Sequence, residues 1–497
     1  MSEPLQIANK LFRTLEQQRV RHCHWKSNEH LGDALAGCTD VDLLAAKSQA
    51  MFCEEALTSL GYKRVISQPW ARYPGIEDWI GFDKETGKLV HIHLHYQLLS
   101  GKQYVKEQHL PWENLILDTA VQDPRFNVFV TDPNLEIILV VIRVGLKTSF
   151  LDLFAALFGR QFLPKNMRNE FDYLVEQIDE KVVRKYAVDL LGCEYGQKIS
   201  TIIFHKLLAR PGAVLQVKSV VNQALGRYTR CNQLETTVLY LFHSLQFFFS
   251  KVQRGLGISS QLGKRLHTGG AIIAVIGSDG AGKSTVSKEL QKWLSWKIDT
   301  RTIYLGSGDG SVGLMLRGLK YLASLLTRRK ATEGTSRTAR SDNIPQKSIY
   351  KELGAGLLAV SVADERYNKI LKAKRVRLNG GISICDRYPQ DQFMGIYDGP
   401  RLCRGENKSK MASFFAQQEA RRYQYIAQMP PDVVIKLHIP DQVALDRKPD
   451  HSLENIRRKG EITHKLGFTG SKVMDIDASG PIEDVIKSVK TAVWESL

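Results

Sequence analysis

The opening stretch MSEPLQIANKLFRTLEQQ spaces its apolar positions as an amphipathic helix does, and it lacks the apolar core and cleavage site of a signal peptide. The run Val41–Leu44 reads as a strand and SQAMFCEEALTSLGYKR as a helix, while WIGFDKETGKLVHIHLHYQL reads as two strands turning at Asp83 to Gly87. Residues 1–130 therefore predict a small α/β domain. From 131 to 267 apolar residues recur at helical spacing, broken at Pro164, Gly192, Pro211 and Gly226, which predicts a helical connector. The turn cluster His267–Gly270 then precedes AIIAVIG, an unbroken apolar run expected of a buried strand, and a third domain occupies 268–497.

The two longest apolar stretches, Leu139–Val144 and Thr237–Phe249, fall short of the ~20 residues that cross a bilayer. The second, followed by Lys251 and Arg254, is expected to pack inside the helical segment, with a membrane interface as the other option. Residues Arg328–Lys347 are basic, small and polar, and read as a mobile loop.

Composition narrows the class. A chain of 497 residues suits about three domains, and 43% hydrophobic with 24% charged residues excludes a disordered, collagenous or coiled-coil chain. Lysine and arginine number 69 against 52 acids, a net charge of +17, which suits phosphorylated small molecules, nucleic acid or anionic membranes. Seven cysteines without a C-x-x-C pair argue against a disulfide framework or zinc ribbon, and the expected location is the cytoplasm.

Gly277-Ser278-Asp279-Gly280-Ala281-Gly282-Lys283-Ser284 satisfies G-x-x-x-x-G-K-[ST] between a predicted strand and the helical VSKELQKWLSW. In such a loop the glycines let backbone N–H groups converge on phosphate, the helix adds its positive end, Lys283 reaches the outer phosphates and the Ser284 hydroxyl ligates magnesium. The nucleotide cradle is thus Gly277, Ser278, Gly280, Ala281, Gly282, Lys283, Ser284 and Thr285, and the implied cofactors are ATP and Mg2+. Asp279 puts a carboxylate beside phosphate, where it must face a second substrate or magnesium-bound water.

GSDGAGKST, followed by the strand Gly381–Cys385 ending in Asp386-Arg387-Tyr388, resembles the thymidylate kinases within the nucleoside monophosphate kinase superfamily. The resemblance implies a P-loop kinase fold with a parallel sheet over 268–497. It gives Asp386 a magnesium role, assigns acceptor binding to Asp279, Arg366, Arg387 and Tyr388, and makes Arg447, Lys448, Arg457 and Arg458 lid cations, with Arg447 and Arg457 as the catalytic pair. It is compatible with a dimer. QDQFMGIYDGPRL lacks the Ser-x-x-Tyr-Gln-like pattern used around thymine, and YLGSGDG stands in place of Arg-Glu-Pro-Gly; the chain looks more like the divergent thymidylate-kinase-like proteins associated with bacterial surface polysaccharide loci.

In the first domain, His24-Trp25-Lys26-Ser27-Asn28 followed by Asp40-Val41-Asp42 resembles the polymerase-beta-like nucleotidyltransferase fold, active or degenerate. Ser27 takes the serine place and Asp40 and Asp42 the magnesium-ligand places, being i and i+2 on a strand and so on one face. Lys26 replaces the usual glycine, and His93 stands where a third carboxylate is expected. His91, His93 and His95, with His22, Cys23 and His24, also raise a zinc or iron site, for which recognised ligand spacing is missing.

The fold expected is a multidomain α/β protein: a nucleotidyltransferase-like α/β domain, a helical middle segment and a C-terminal P-loop kinase domain. The expected activity is ATP·Mg-dependent phosphoryl transfer to a nucleotide, nucleoside or phosphorylated sugar. The alternatives are a nucleotide-switched binding protein docking on nucleic acid or membrane, and a nucleotidyltransferase working through Asp40 and Asp42.

Overall fold

The structure is a computed structural model that describes residues 3–147, 165–209, 213–256, 262–306, 345–402, 409–449 and 452–497. It divides into two compact units, Met1–His267 and Thr268–Leu497, so the segments 1–130 and 131–267 lie in one unit.

The first unit is built on a mixed sheet of eight strands. In chain order these are β1 (His22–His24), β2 (Val41–Ala45), β3 (Lys63–Ile66), β4 (Ile76–Asp83), β5 (Lys88–His95), β8 (Val121–Asp123), β9 (Val128–Val130) and β10 (Arg265–Leu266); β6 (Leu98–Ser100) and β7 (Gln108–Leu110) pair separately. The spatial order is β10-β3-β4-β5-β2-β1-β9-β8. The β4–β5 hairpin turns where its Asp-x-x-Thr-Gly chemistry directs, with Thr86 N donating to Asp83 Oδ2 at 3.1 Å and Gly87 at φ +69°. One face of the sheet is covered by the amphipathic first helix, Gln6–Gln17, whose Ala8, Leu11 and Leu15 are fully buried. Cys23 and Leu44 from the strands, with Trp25 just after β1, share a separate core with the helix Pro133–Lys147 and its successors. The helical stretch is therefore continuous in packing with the sheet. Gly192, at φ +84°, breaks it where the sequence pattern places a break, between the helices Glu180–Leu191 and Cys193–Phe204.

One expectation is corrected. The helix Gln233–Gly255, which contains Thr237–Phe249, is not packed inside: Leu234, Val238, Leu241, Phe242, Leu245, Phe248 and Phe249 are exposed, and Thr236 is its buried residue. Its apolar residues run all round the helix, so the side that meets Trp70 and Tyr104 leaves the others outward. Among the described residues no helix is long and apolar enough to cross a membrane.

The second unit is a five-stranded parallel sheet with helices packed against it. Its strands are β11 (Ala271–Gly277), β12 (Thr300–Tyr304), β13 (Ile382–Asp386), β14 (Val433–His438) and β15 (Lys472–Asp477), in the order β12-β13-β11-β14-β15. Every residue of β11 is buried, as its β-branched, wholly apolar sequence requires of a central parallel strand. Ile272, Ile273, Val275 and Ile276 each contribute on the order of 1.5–3 kcal/mol by leaving water. Of the segment read as a loop, 328–344 lies outside the described residues, and 345–347 open the helix Pro345–Leu378. The chain leaves β11 toward one edge of the sheet and β13 toward the other, which makes the carboxyl ends of these neighbouring strands the natural crevice.

Candidate functional site

The residues after β11 form the phosphate loop, and the helix Lys283–Leu294 starts directly from it. Gly280 and Gly282 have φ of +87° and +82°, conformations that glycine adopts without strain. A side chain at position 277 would meet Leu437 O at 2.7 Å, so Gly277 is set by close approach to β14. Lys283 Nζ donates to Ser278 O at 2.7 Å within the loop.

β13 brings the second half of the site. Parallel pairing sets Asp386 opposite Val275, and Ser284 Oγ donates to Asp386 Oδ2 at 2.7 Å, joining residues 102 positions apart. Asp386 Oδ1 is buried with no hydrogen-bond partner. A hydroxyl and a carboxylate side by side, with a spare buried oxygen, is the donor set a small hard cation uses, so the residues present fit Mg2+. Arg387 follows at φ +73°, and its Nε is a buried donor without a partner.

Beside the loop lies a cavity of about 200 Å³, lined among others by Asp279, Lys283, Arg366, Arg387, Tyr388, Asp398, Arg401 and Lys459. Five cationic side chains against two carboxylates make it a site for an anion. Asp279 is ion-paired with Lys459 and lies 3.9 Å from Lys283 Nζ. Burial pushes its pKa up, but Lys459, Lys283 and Arg387 outweigh that and hold it below the ordinary carboxylate value. Lys283 is 9% exposed, and burial, reinforced by the nearby Arg387, pushes its pKa down to about 8.

Arg366 and Tyr388 line the cavity while being held by the protein. Arg366 donates to Leu305 O and Asp398 O, at 3.2 and 2.9 Å, and also to the Tyr423 hydroxyl and the Asp398 carboxylate. The Tyr388 hydroxyl donates to Met429 O. The segment 390–399 is wrapped around Gln390, whose amide nitrogen donates to Phe393 O and Ile396 O at 2.8 Å and whose oxygen accepts from Phe393 N at 2.7 Å. Tyr397 and Asp398 both have positive φ in that wrap, and the Tyr397 hydroxyl contacts Thr463.

None of the four expected lid cations lines this cavity, but Arg447 reaches the phosphate loop, donating to Gly280 O at 3.4 Å as well as to Ala478 O at 3.0 Å and Ser479 O at 3.3 Å. Arg457 pairs with Asp441 at 3.1 Å with its side chain mostly exposed, and Lys448 and Arg458 are exposed. The cation that the helix Leu453–Lys465 does bring to the cavity is Lys459, and with Asp398 and Tyr397 it is a residue the motifs did not single out.

In the first unit, Asp42 and Asp78 both stand opposite His93 in the sheet register. Asp40 pairs with His91 at 2.9 Å, whereas Asp42 Oδ1 lies 2.8 Å from Lys26 Nζ, so the two acids face different partners. Ser27 donates its backbone N–H to Glu170 at 3.0 Å. The rings of His22 and His24 contact Val20 O at 2.8 Å and Asn28 Oδ1 at 2.6 Å, and Cys23 faces Thr131; none of these three joins the row on β5.

No family model matches the chain. It is similar to the uncharacterized ATP-binding protein YghR of Escherichia coli K12, 32% identical over 223 residues, which is 45% of this chain and 86% of YghR; YghR of strain O6:H1 gives the same figures. The uncharacterized ATP-binding protein YghS of E. coli K12 is 29% identical over 227 residues, 46% of this chain and 93% of YghS. Among solved structures, a deoxyadenosine kinase from M. mycoides with dCMP and dCDP bound is 15% identical, covering 46% of this chain and all of its own, with a TM-score of 0.24.

Proposed function

We propose, on the premise that this chain belongs to the family of the ATP-binding protein YghR, that its second unit is an ATP-dependent phosphotransferase. The observation that carries the reading is the phosphate loop ending in the Ser284–Asp386 pair beside a cavity lined mostly by cations. The loop amides of Gly277 to Thr285 and Lys283 cradle the donor phosphates, and Ser284 and Asp386 hold Mg2+. When bound, the ion draws charge from the phosphates and orients them.

The acceptor oxygen attacks the γ-phosphorus, the bond to the β-phosphate oxygen breaks, and ADP leaves with that electron pair. Arg387, with its unpartnered buried Nε, and Arg401 hold the acceptor; Lys459 and Lys283 meet the charge spread over the moving phosphoryl group. Asp279, kept ionised by three cations, is a weak base and serves to position. That suits a phosphate acceptor, which has no proton to surrender, better than a sugar hydroxyl. Purified protein is expected to release ADP from ATP in the presence of one class among nucleoside monophosphates and sugar phosphates, and Lys283→Ala is expected to abolish it. ADP release that no acceptor raises above background would remove the reading.

A second reading is favoured by the outward apolar side chains of the helix Gln233–Gly255: the first unit docks on an anionic membrane surface through that helix, aided by Lys251 and Arg254 near its C-terminal end. Co-sedimentation with phosphatidylserine vesicles, lost on Leu241→Glu together with Phe248→Glu, is the expected outcome; no co-sedimentation of the unaltered chain would refute it.

A further inference from the structure

The first unit holds a second constellation, independent of the phosphate loop. On one face of the sheet His93 Nδ1 is 3.3 Å from Asp42 Oδ1, His95 Nε2 is 3.2 Å from His93 Nδ1, and His95 Nε2 is 3.4 Å from Asp42 Oδ1. This is a near-equilateral triangle of two imidazole nitrogens and one carboxylate oxygen. Hydrogen bonding alone does not satisfy it, because each ring nitrogen carries either one proton or one lone pair. If both are protonated the two N–H groups oppose each other, and if one is not, a contact with Asp42 is left without its proton.

We propose that Asp42, His93 and His95 form a three-ligand site for a zinc-class divalent ion, with a fourth position open to water or an incoming ligand. Ligand atoms bound at about 2.0–2.1 Å in tetrahedral geometry lie about 3.3–3.4 Å apart, which the triangle matches. Octahedral Mg2+ at about 2.1 Å requires about 3.0 Å between neighbours and prefers oxygen donors. Replacing a carboxylate by His93 in this row thus turns the site from a hard ion toward a borderline one.

Asp78 Oδ1 stands 3.9 Å from the far nitrogen of His93, and Asp78 is fixed by Ser67 at 2.6 Å, His91 at 3.0 Å and Lys264 at 2.9 Å. At 3.9 Å it makes no hydrogen bond to the ring, and it acts through its charge, which favours a cation on the far side of the imidazole. Lys26, 2.8 Å from Asp42 Oδ1, competes with the ion for that carboxylate and sets its affinity.

The test is Zn2+ binding to the full chain after chelator treatment, measured by competition with a chromophoric chelator. One site of micromolar affinity or tighter is expected. His93→Ala, the least buried of the three ligands, should weaken it at least about 100-fold, Lys26→Met should tighten it, and His438→Ala in the second unit should leave it unchanged. Co2+ in place of Zn2+ should give the visible bands of four-coordinate cobalt, absent in His93→Ala. Circular dichroism of each variant separates ligand loss from unfolding, and Asp42→Asn is the second ligand variant should His93→Ala fail to fold. Zn2+ binding no tighter than millimolar, or equal binding by folded His93→Ala and the unaltered chain, would overturn the proposal.

Discussion

Burial and Arg387 hold the Lys283 pKa near 8, while the bound polyphosphate needs the ammonium form. The lysine is therefore about nine-tenths charged at pH 7 and about 3% charged at pH 9.5, and the phosphates must supply the cost of recharging it. The dissociation constant for a non-hydrolysable ATP analogue is expected to rise about 30-fold over that range, about 2 kcal/mol. Titration calorimetry at pH 9 in two buffers of different ionisation enthalpy should show uptake of about 0.9 proton per nucleotide, against about 0.1 at pH 7. In Lys283→Arg the guanidinium stays charged throughout, so the profile should be flat, with weaker binding at every pH because the fork does not fit a site shaped for an ammonium. A dissociation constant that varies less than threefold from pH 7 to 9.5, with no proton uptake at pH 9, would refute a Lys283 whose pKa is pushed down in the nucleotide-free chain.

Three further outcomes follow from other parts of the molecule. Arg366→Ala leaves the buried Asp398 carboxylate with only Arg387, at 3.7 Å, as a cationic partner and should cost about 3 kcal/mol of unfolding free energy in urea titrations, with Arg366→Lys recovering only part. At Gly399 an added Cβ would meet Phe393 O at 2.1 Å and Gln390 Nε2 at 2.5 Å, so Gly399→Ala should open the 390–399 wrap, lower stability by about 1–3 kcal/mol and raise the acceptor KM far more than the ATP KM. Burial, then the Glu170 charge, raises the Glu29 pKa from 4.5 to about 7, so the folded chain keeps a proton that the unfolded chain releases. Stability from this group is full below pH 4.5 and falls as pH rises to about 7, by up to roughly 3 kcal/mol; Glu29→Gln should raise the urea midpoint at pH 8 and lessen its fall between pH 5 and 8, the remaining fall coming from Glu136, whose pKa burial and Glu170 raise to about 8.

The phosphate loop was legible because its signal is local: a buried strand, a short loop with glycine at its left-handed positions 280 and 282, and a helix, all contiguous. Asp386 was legible only through resemblance, because its partnership with Ser284 arises from the β11–β13 register across 102 residues. Lys459 carried a signal that the basic run obscured. Ile456 and Thr463 are buried on the helix Leu453–Lys465, and Lys459 sits between them at i+3 and i+7 spacing, whereas Arg457 and Arg458 lie off that stripe. Asp398 and Tyr397 owe their place to a wrap closed by one glutamine and a glycine, which no periodicity encodes. In the first unit the chemistry-bearing residues of β2 and β5 could be named from alternation, but their grouping needed the register: Asp42 opposite His93 leaves Asp40 to His91.

The most direct test of the account is transfer of label from [γ-32P]ATP to an acceptor, resolved chromatographically across nucleoside monophosphates and sugar phosphates, for the unaltered chain, Lys283→Ala and Asp386→Asn. A labelled, phosphorylated acceptor is expected with the unaltered chain and none with either variant. Label appearing only in inorganic phosphate with every acceptor, or label transfer that survives Lys283→Ala, would contradict it.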